Sequence, residues 1–408
     1  MSGPLDGVKV VELGVWVAGP GAGGILADWG ADVTKVEPPD GDPSRLWQLL
    51  LGGDLDVNPP FELDNRGKRS IVLDLSTDDG RRVLHDLLAG ADVFLTNIRA
   101  GALDRLGLGP DTLHEQYPKL IYALISGFGT TGDDAEKGAF DIAAFWARAG
   151  IAEALRPPDS PLPFQRAGMG DHSAAMTAAG MVSAALYGRH TTGEGQVVST
   201  SLLRQGAYTI GFDVNIAMMW GRTLAGGDRT TMRNPTANNY TCADGRAIWI
   251  VGIDPERHFP PLARAIGRPE WLDDEHYSTA MGRATNAVEL IAELDAIFAT
   301  RSRDEWAEAF AEEPELFWAP VNTIDDLLAD PQFHAAGAVV EVPDDAGGSA
   351  MLATPADFGG EAPRPRGPAP GLGQHTEEVL AELGYESGEV ERLLTSGAAG
   401  VPATGEEA

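Results

Sequence analysis

Val8-Lys9-Val10-Val11-Glu12-Leu13, then Gly14 and Ala18-Gly19-Pro20-Gly21, then an apolar stretch near Ala22–Trp29, then Ala31-Asp32-Val33-Thr34-Lys35-Val36-Glu37, decide the fold class. Two β-type runs flanking a helix-compatible stretch make a βαβ unit, and such units build parallel sheets. Gly19, Gly21, Gly23 and Gly24 do not spell the dinucleotide fingerprint, and Pro20 interrupts them. They read as a loose loop that allows tight packing of helix on strand.

The same alternation runs outward from this unit. Ser70–Asp74, Asp92–Thr96 and Leu120–Ser126 read as strands, with a helix over Asp79–Leu88. The pattern predicts a doubly wound α/β domain whose ligands lie off the carboxyl ends of its strands. A helix near Phe140–Ala152, led by Asp141, precedes a loop with Pro157, Pro158, Pro161 and Pro163, and a strand near Gln196–Ser201 leads into a helix from about Leu202. Between about Arg222 and Asn238 the composition turns Gly/Thr/Asn-rich, which reads as a linker into a smaller second domain. That domain opens with a hairpin around Asp244-Gly245, followed by helices at Pro260–Ile266, Ala287–Phe298 and Arg303–Glu312. Val339–Val342 and Gly348–Thr354 read as a β pair, Thr376 as the cap of a terminal helix, and 397–408 as a frayed end.

A chain of 408 residues, 43% of them hydrophobic, exceeds the size at which single cores stop growing, so two domains are expected. A net charge of −31 argues against nucleic acid, because phosphate binding needs a basic face. No 18-residue apolar run and no basic-then-apolar leader are found, which argues against membrane spans and secretion; the single cysteine, Cys242, fits a reduced cytoplasm. The eight histidines are scattered without helical ligand spacing, so no metal is expected, and neither a Gly-x-Ser-x-Gly elbow nor a Walker loop occurs.

Chemistry points to Gly168-Met169-Gly170-Asp171-His172-Ser173, where one carboxylate stands at the head of an apolar helix predicted over about Asp171–Tyr187. An Asp there can cap the helix, an effect of roughly 1 kcal/mol, or carry out chemistry. His172 is its neighbour, but adjacent helical residues point about 100° apart. In Asn65-Arg66-Gly67-Lys68-Arg69 three cations stand at a strand entrance, as a solvated edge or a phosphate clamp. Arg99 and Arg105 also flank strands, and cations converging there would suit a phosphorylated carrier.

Seven ordered motifs carry a resemblance: Leu5–Leu13, Gly30–Pro38, Asn65–Ser70, Gly101–Gly107, Ser126–Gly129, Gly170-Asp171 and Leu372–Thr376. They resemble the serial motifs of the family III coenzyme A transferases, the formyl-CoA and carnitine CoA-transferase group that also contains α-methylacyl-CoA racemase. The resemblance implies a large Rossmann-like domain built from both chain ends (1–221 and 336–408), a smaller α+β domain with its linkers (222–335), and a homodimer of interlocked rings. It places Asp171 on the family's nucleophilic aspartate, which attacks an acyl-CoA to give an aspartyl acyl anhydride before a carboxylic acid acceptor takes over the CoA. A carboxylate suits this because it is ionised at neutral pH and needs no activating base. By position Lys68, Arg69, Asn97, Arg99, Arg105 and Lys137 resemble CoA contacts; CoA enters as part of the substrate, and no tightly bound cofactor is implied.

Two departures from the family pattern follow. Where the racemases carry a proton-shuttling histidine, this chain has Phe140, before Asp141, and their further catalytic glutamate is replaced by Asn238 or Asn239. Where formyl-CoA transferase has a histidine and a glutamine, this chain reads Gly14-Val15-Trp16-Val17-Ala18, and that enzyme's glycine-rich run is absent. An apolar acyl site of Val15, Trp16, Val17, Ala18 and Phe140 beside Asp141 is expected, which disfavours oxalate as acceptor. The leading expectation is a CoA-transferase; an acyl-CoA isomerase and a non-catalytic CoA-ester-binding protein are the alternatives.

Overall fold

The computed structural model describes residues 3–47, 52, 57–223, 227–344 and 347–401. Most of the frayed end expected over 397–408, and residues 224–226 of the expected linker, lie outside them. The chain divides into two compact units, one of residues 1–152, 164–223 and 334–408, the other of residues 153–163 and 224–333.

The larger unit is built on a seven-stranded sheet. Its strands are β1 (Lys9–Leu13), β2 (Asp32–Glu37), β3 (Arg69–Leu73), β4 (Val93–Thr96), β5 (Ile121–Ser126), β6 (Val197–Ser201) and the short β12 (Ala399–Gly400), in the order β12-β3-β2-β1-β4-β5-β6. All neighbours run parallel except β12 against β3. Alternate residues face opposite layers, as strand geometry requires. Val10, Val33, Val93, Leu95 and Ile121 join one core, and Val11, Leu13, Ile71, Leu73 and Phe94 the other. A sheet buried on both faces needs helices on both, and it has them.

On the first face lie α1 (Ala18–Asp28), α2 (Pro59–Asn65) and the long α5 (Met169–Thr192). On the second are α3 (Asp78–Ala89), α11 (Thr376–Glu382) and α12 (Ser387–Thr395), through Val83, Leu84, Leu88, Val379 and Leu393. The run expected to be a loose glycine loop is the first half of α1, and its glycines serve close contact between helices as well as between helix and strand. A Cβ on Gly21 would sit 3.3 Å from the Cβ of Ala175 on α5, and one on Gly24 would stand 2.7 Å from the Asp64 carbonyl oxygen. The alanine seam of α5 (Ala174, Ala175, Ala178, Ala179) completes that fit and is fully buried.

Because β1 and β4 are neighbours while the chain winds outward from each, their carboxyl ends form the switch point where doubly wound sheets hold ligands. The loop Gly14–Val17 and Asn97 lie there.

The smaller unit contains β7 (Ala237–Thr241), β8 (Ala247–Val251) and β9 (Trp318–Pro320) as an antiparallel sheet. Tyr240, Ile248, Phe259, Leu290, Phe298 and Trp306 are buried in its core. The helix predicted at Pro260–Ile266 begins five residues earlier, as Pro255–Ala265, because Asp254 caps it. Thr376 caps nothing: it is buried, and its hydroxyl accepts the Val72 N–H at 3.2 Å, stitching the C-terminal segment to β3. Among the described residues no helix is long and apolar enough to cross a membrane.

Candidate active site

The loop after β1 is held from three sides. Asn97 accepts the Val15 N–H at 3.0 Å and donates to the Val15 carbonyl at 2.8 Å. Asp42 accepts the Trp16 N–H at 3.0 Å, and Lys35 donates to the Gly14 carbonyl at 3.1 Å. These bonds hold Trp16 at φ +66°, a left-handed conformation that costs a non-glycine residue roughly 1 kcal/mol or more. The Trp16 ring meets Phe140 edge-on, centroids 5.6 Å apart, and lies 6.2 Å from Trp47. Phe140 is more than half exposed, whereas Val17 and Ala18 are buried at the start of α1.

Beneath the loop lies a dry ionic network. Lys35 binds Glu12 at 3.0 Å and Asp42 at 2.9 Å, and Lys68 binds Glu12 at 2.7 Å, all with side chains fully buried. Lys68 also donates to the Pro20 carbonyl and to Asn65. Lys68 is therefore neither solvated edge nor phosphate clamp: it neutralises Glu12 and anchors the first turn of α1. Arg69 is corrected on the same ground. A residue that opens a parallel strand sits at its amino end, the side away from the switch point. There Arg69 is taken up by Asp32 (3.0 Å), Glu382 (2.7 Å) and Glu378 (3.5 Å).

The other cations remain at the surface. Arg99 precedes α4 (Ala100–Arg105) and reaches the Glu136 carbonyl at 3.5 Å, while the Glu136 carboxylate accepts the Gly101 N–H. Lys137 pairs with Asp134 at 2.5 Å, and Arg148 pairs with the same carboxylate. The 134–137 turn thus gathers Arg99, Lys137 and Arg148, whereas Arg105 is exposed at the far end of α4. Asn97 is spent on Val15.

Asp171 occupies the first turn of α5, behind left-handed Gly168 (φ +81°). It does not cap the helix: no described residue donates a hydrogen bond to its carboxylate. The cap comes from Asp141, which accepts the Gly170 N–H at 3.4 Å and the Gln165 amide at 2.9 Å. Asp141 precedes a π-helical segment, Ile142–Arg148, where an ordinary helix from Phe140 was expected. Burial, the Asp141 charge and the more distant Asp64 raise the Asp171 carboxyl to about 7, against which only His172 acts. The expectation of a carboxylate fully ionised at neutral pH is corrected accordingly. His172 bonds Asp64, on α2, at 3.1 Å, and that carboxylate raises the imidazole above its usual range. A cavity of about 530 Å³ opens beside this pair, lined also by Gly21, Ile25, Met176 and Leu352. Among the described residues no three His, Cys, Asp or Glu side chains are grouped as metal ligands.

Sequence reasoning missed Asp64, Gln165, Trp47 and Glu136. Asn58-Pro59-Pro60, a helix-start signal, could have located α2 and with it Asp64; Asn58 does cap that helix.

A doubly wound parallel sheet with an aromatic-walled loop at its switch point defines an α/β protein with a candidate ligand site there. Residues 5–376 match CoA-transferase family III. The chain is 33% identical over 399 residues to (R)-2-hydroxy-4-methylpentanoate CoA-transferase of Clostridioides difficile, covering 96% of this chain and 98% of that one. It is 34% identical over 394 residues to cinnamoyl-CoA:phenyllactate CoA-transferase of Clostridium sporogenes, 95% of each being covered. A crystal structure of a CAIB/BAIF family protein from Brucella suis, 31% identical, superposes with a TM-score of 0.82 over 94% of this chain and all of that chain. The chain belongs to CoA-transferase family III. It is an enzyme that moves coenzyme A from an acyl-CoA to a carboxylic acid.

Proposed function

We propose that Asp171 is the nucleophile of this transfer, and that the donor acyl group is apolar and bulky, packing on Trp16, Trp47 and Phe140. An Asp171 oxygen attacks the thioester carbonyl, the C–S bond breaks, and the CoA thiolate leaves an aspartyl acyl anhydride. The thiolate then attacks the Asp171 carbonyl, releasing the donor acid and leaving an aspartyl-CoA thioester. The acceptor carboxylate repeats the exchange in reverse, and Asp171 is regenerated. Thioester is exchanged for thioester, so no ATP is consumed. Backbone N–H groups of the first turn of α5 are available to the oxyanions.

The observation that carries the proposal is that Asp141 and not Asp171 caps α5, which leaves the Asp171 carboxylate free of hydrogen bonds from described residues in a setting that raises its basicity. Desolvation makes an ionised carboxylate a better nucleophile. Phe140 has no proton to give, which disfavours two-base racemisation. The acyl class is supported by the aromatic contacts and by the branched and aromatic acids named for the two relatives. Arg99, Arg105 and Lys137 are proposed to meet the CoA phosphates.

A homodimer of interlocked rings is proposed on the family resemblance. It is supported by the helix Gly211–Trp220, none of whose residues is buried although it is largely apolar, with Phe212 89% and Met219 81% exposed. A reducing, cytoplasmic location is proposed on the single cysteine, buried Cys242.

Incubation with a panel of acyl-CoA thioesters and hydroxylamine, followed by peptide mass spectrometry, tests the nucleophile. A hydroxamate or CoA-sized adduct on the Asp171 peptide is expected; unmodified peptide with every donor that turns over would discard the covalent route.

A further inference from the structure

Three carboxylates, Asp64, Asp141 and Asp171, gather around the start of α5, and each comes from a different element. Asp64 is on α2, Asp141 heads the π-helical segment, and Asp171 is on α5 itself. Like charges so placed resist the ionisation of the one that no described residue stabilises with a hydrogen bond, which is Asp171. Two cationic groups face the cluster. Lys68 lies behind Asp64, but its ammonium is bound to Glu12, Asn65 and the Pro20 carbonyl. The other is the His172 imidazole, whose Nε2 is fixed 3.1 Å from Asp64 Oδ1 across the α2–α5 contact. Its side chain is 45% exposed, and the cavity beside it lets it exchange protons with solvent.

We propose, on the reading that Asp171 is the nucleophile, that His172 is a positioning residue: held by Asp64, it supplies the positive charge that keeps Asp171 ionised and ready to attack. Asp64 is the anchor in this arrangement. Left unpaired it would add a third negative charge to the site; bonded to His172 it fixes the imidazolium where Asp171 profits from it. The two residues are adjacent in sequence but point apart on the helix, so His172 acts by charge, without touching the reacting atoms. His172 lies in direct electrostatic reach of Asp64, Asp171 and Asp141, and each of these raises its hold on a proton.

The test is the pH profile of kcat/KM for CoA transfer in His172→Gln, His172→Lys and Asp171→Asn, beside the unaltered enzyme. In His172→Gln the acid limb should move up by roughly one pH unit, giving about a tenfold loss at pH 6 and near-complete recovery at pH 9. His172→Lys retains a cation and should hold the limb within about a third of that shift. Because the side chain is half exposed, both variants should fold, and a circular dichroism melt of each checks it. Equal loss at every pH in His172→Gln, or an equal upward shift in His172→Lys, would overturn the inference and leave His172 a packing residue. Transfer activity persisting in Asp171→Asn would instead overturn the nucleophile reading itself, so the two failures are told apart.

Discussion

Asn97 holds both backbone polar groups of Val15, accepting its N–H at 3.0 Å and donating to its carbonyl at 2.8 Å across the β1–β4 switch point. The two bonds meet on the residue before Trp16, the strained position of the loop, so Asn97 sets the angle at which the Trp16 ring faces Phe140. Asn97→Ala should therefore alter the choice among acyl groups more than the affinity for CoA. The expected result is a fall of about tenfold in kcat/KM for a branched or aromatic acyl-CoA, a smaller fall for acetyl-CoA, and a loss of roughly 1–3 kcal/mol in urea unfolding as two part-buried groups lose their partner. A uniform rise in KM for every CoA ester would return Asn97 to the CoA site.

Ionising Asp171 should cost the fold stability. In the folded chain the carboxyl keeps its proton to about pH 7, because of burial and the Asp141 charge, whereas an unfolded Asp releases it near 3.9. Between those values the folded state binds the extra proton, so this group's contribution falls as pH rises from about 4 through 7. Asp171→Asn removes the charge and should stabilise the protein by an amount on the order of 3 kcal/mol above pH 7, shrinking toward zero at pH 4, while abolishing transfer. Urea unfolding at pH 5 and pH 8 measures it. An identical difference at the two values would mean that Asp171 ionises normally.

At His172 the contribution also falls as pH rises, but there the charged form is the stabilising one. Its folded-state proton affinity is raised by Asp64, so the stabilisation is complete below about pH 6.5 and is lost as pH rises through the folded value. Asp64→Asn should thus cost stability at pH 5.5, by about 1 kcal/mol after allowance for the half-exposed imidazole, and nothing measurable at pH 9. Melting curves at both values check it; a constant penalty would mean the Asp64 contact is not an ion pair.

How legible the site was depended on how local its causes are. Strand runs such as Lys9–Leu13 and Arg69–Leu73 could be read because short stretches rich in Val, Ile and Leu alternate with helix-compatible stretches. The place of Asp171 in the first turn of a helix could be read because an alanine-rich run follows it. Roles decided by distant partners could not. Lys68 and Arg69 look alike in Gly67-Lys68-Arg69, yet alternation along the strand sends one into the core against Glu12 and the other to the amino edge against Asp32. Asp64 and Asp141 acquire their meaning only when α2 and the π-helical segment are brought to the start of α5.

That division between Lys68 and the surface cations is itself testable. Lys68→Met would leave Glu12 sharing only Lys35, so the variant should lose about 3–5 kcal/mol or fail to fold. Arg99→Glu and Lys137→Glu should fold normally and raise KM for the CoA ester several-fold, with an effect that weakens as salt is added. Normal stability in Lys68→Met with an increased KM would put Lys68 back in contact with CoA.

Gly170 offers the sharpest probe of the geometry around Asp171. A Cβ there would stand 2.5 Å from Phe145 Cγ and 2.6 Å from Phe145 Cβ, closer than side chains approach. Phe145 is buried in the π-helical segment that Asp141 heads, so the clash cannot be relieved by a surface rotamer. Either the segment or the first turn of α5 must shift. Both movements lengthen the Asp141–Gly170 bond and displace Asp171 by a few tenths of an ångström. Gly170→Ala should accordingly lower kcat by about tenfold or more while leaving KM for the CoA ester near its original value, since Arg99 and Lys137 stand on other elements. Adding Phe145→Gly takes both of these atoms out of the path of the new methyl and, once circular dichroism shows the double variant folded, should recover a large part of kcat. A double variant no faster than Gly170→Ala alone would show that the close approach of these two residues does not set the position of the carboxylate.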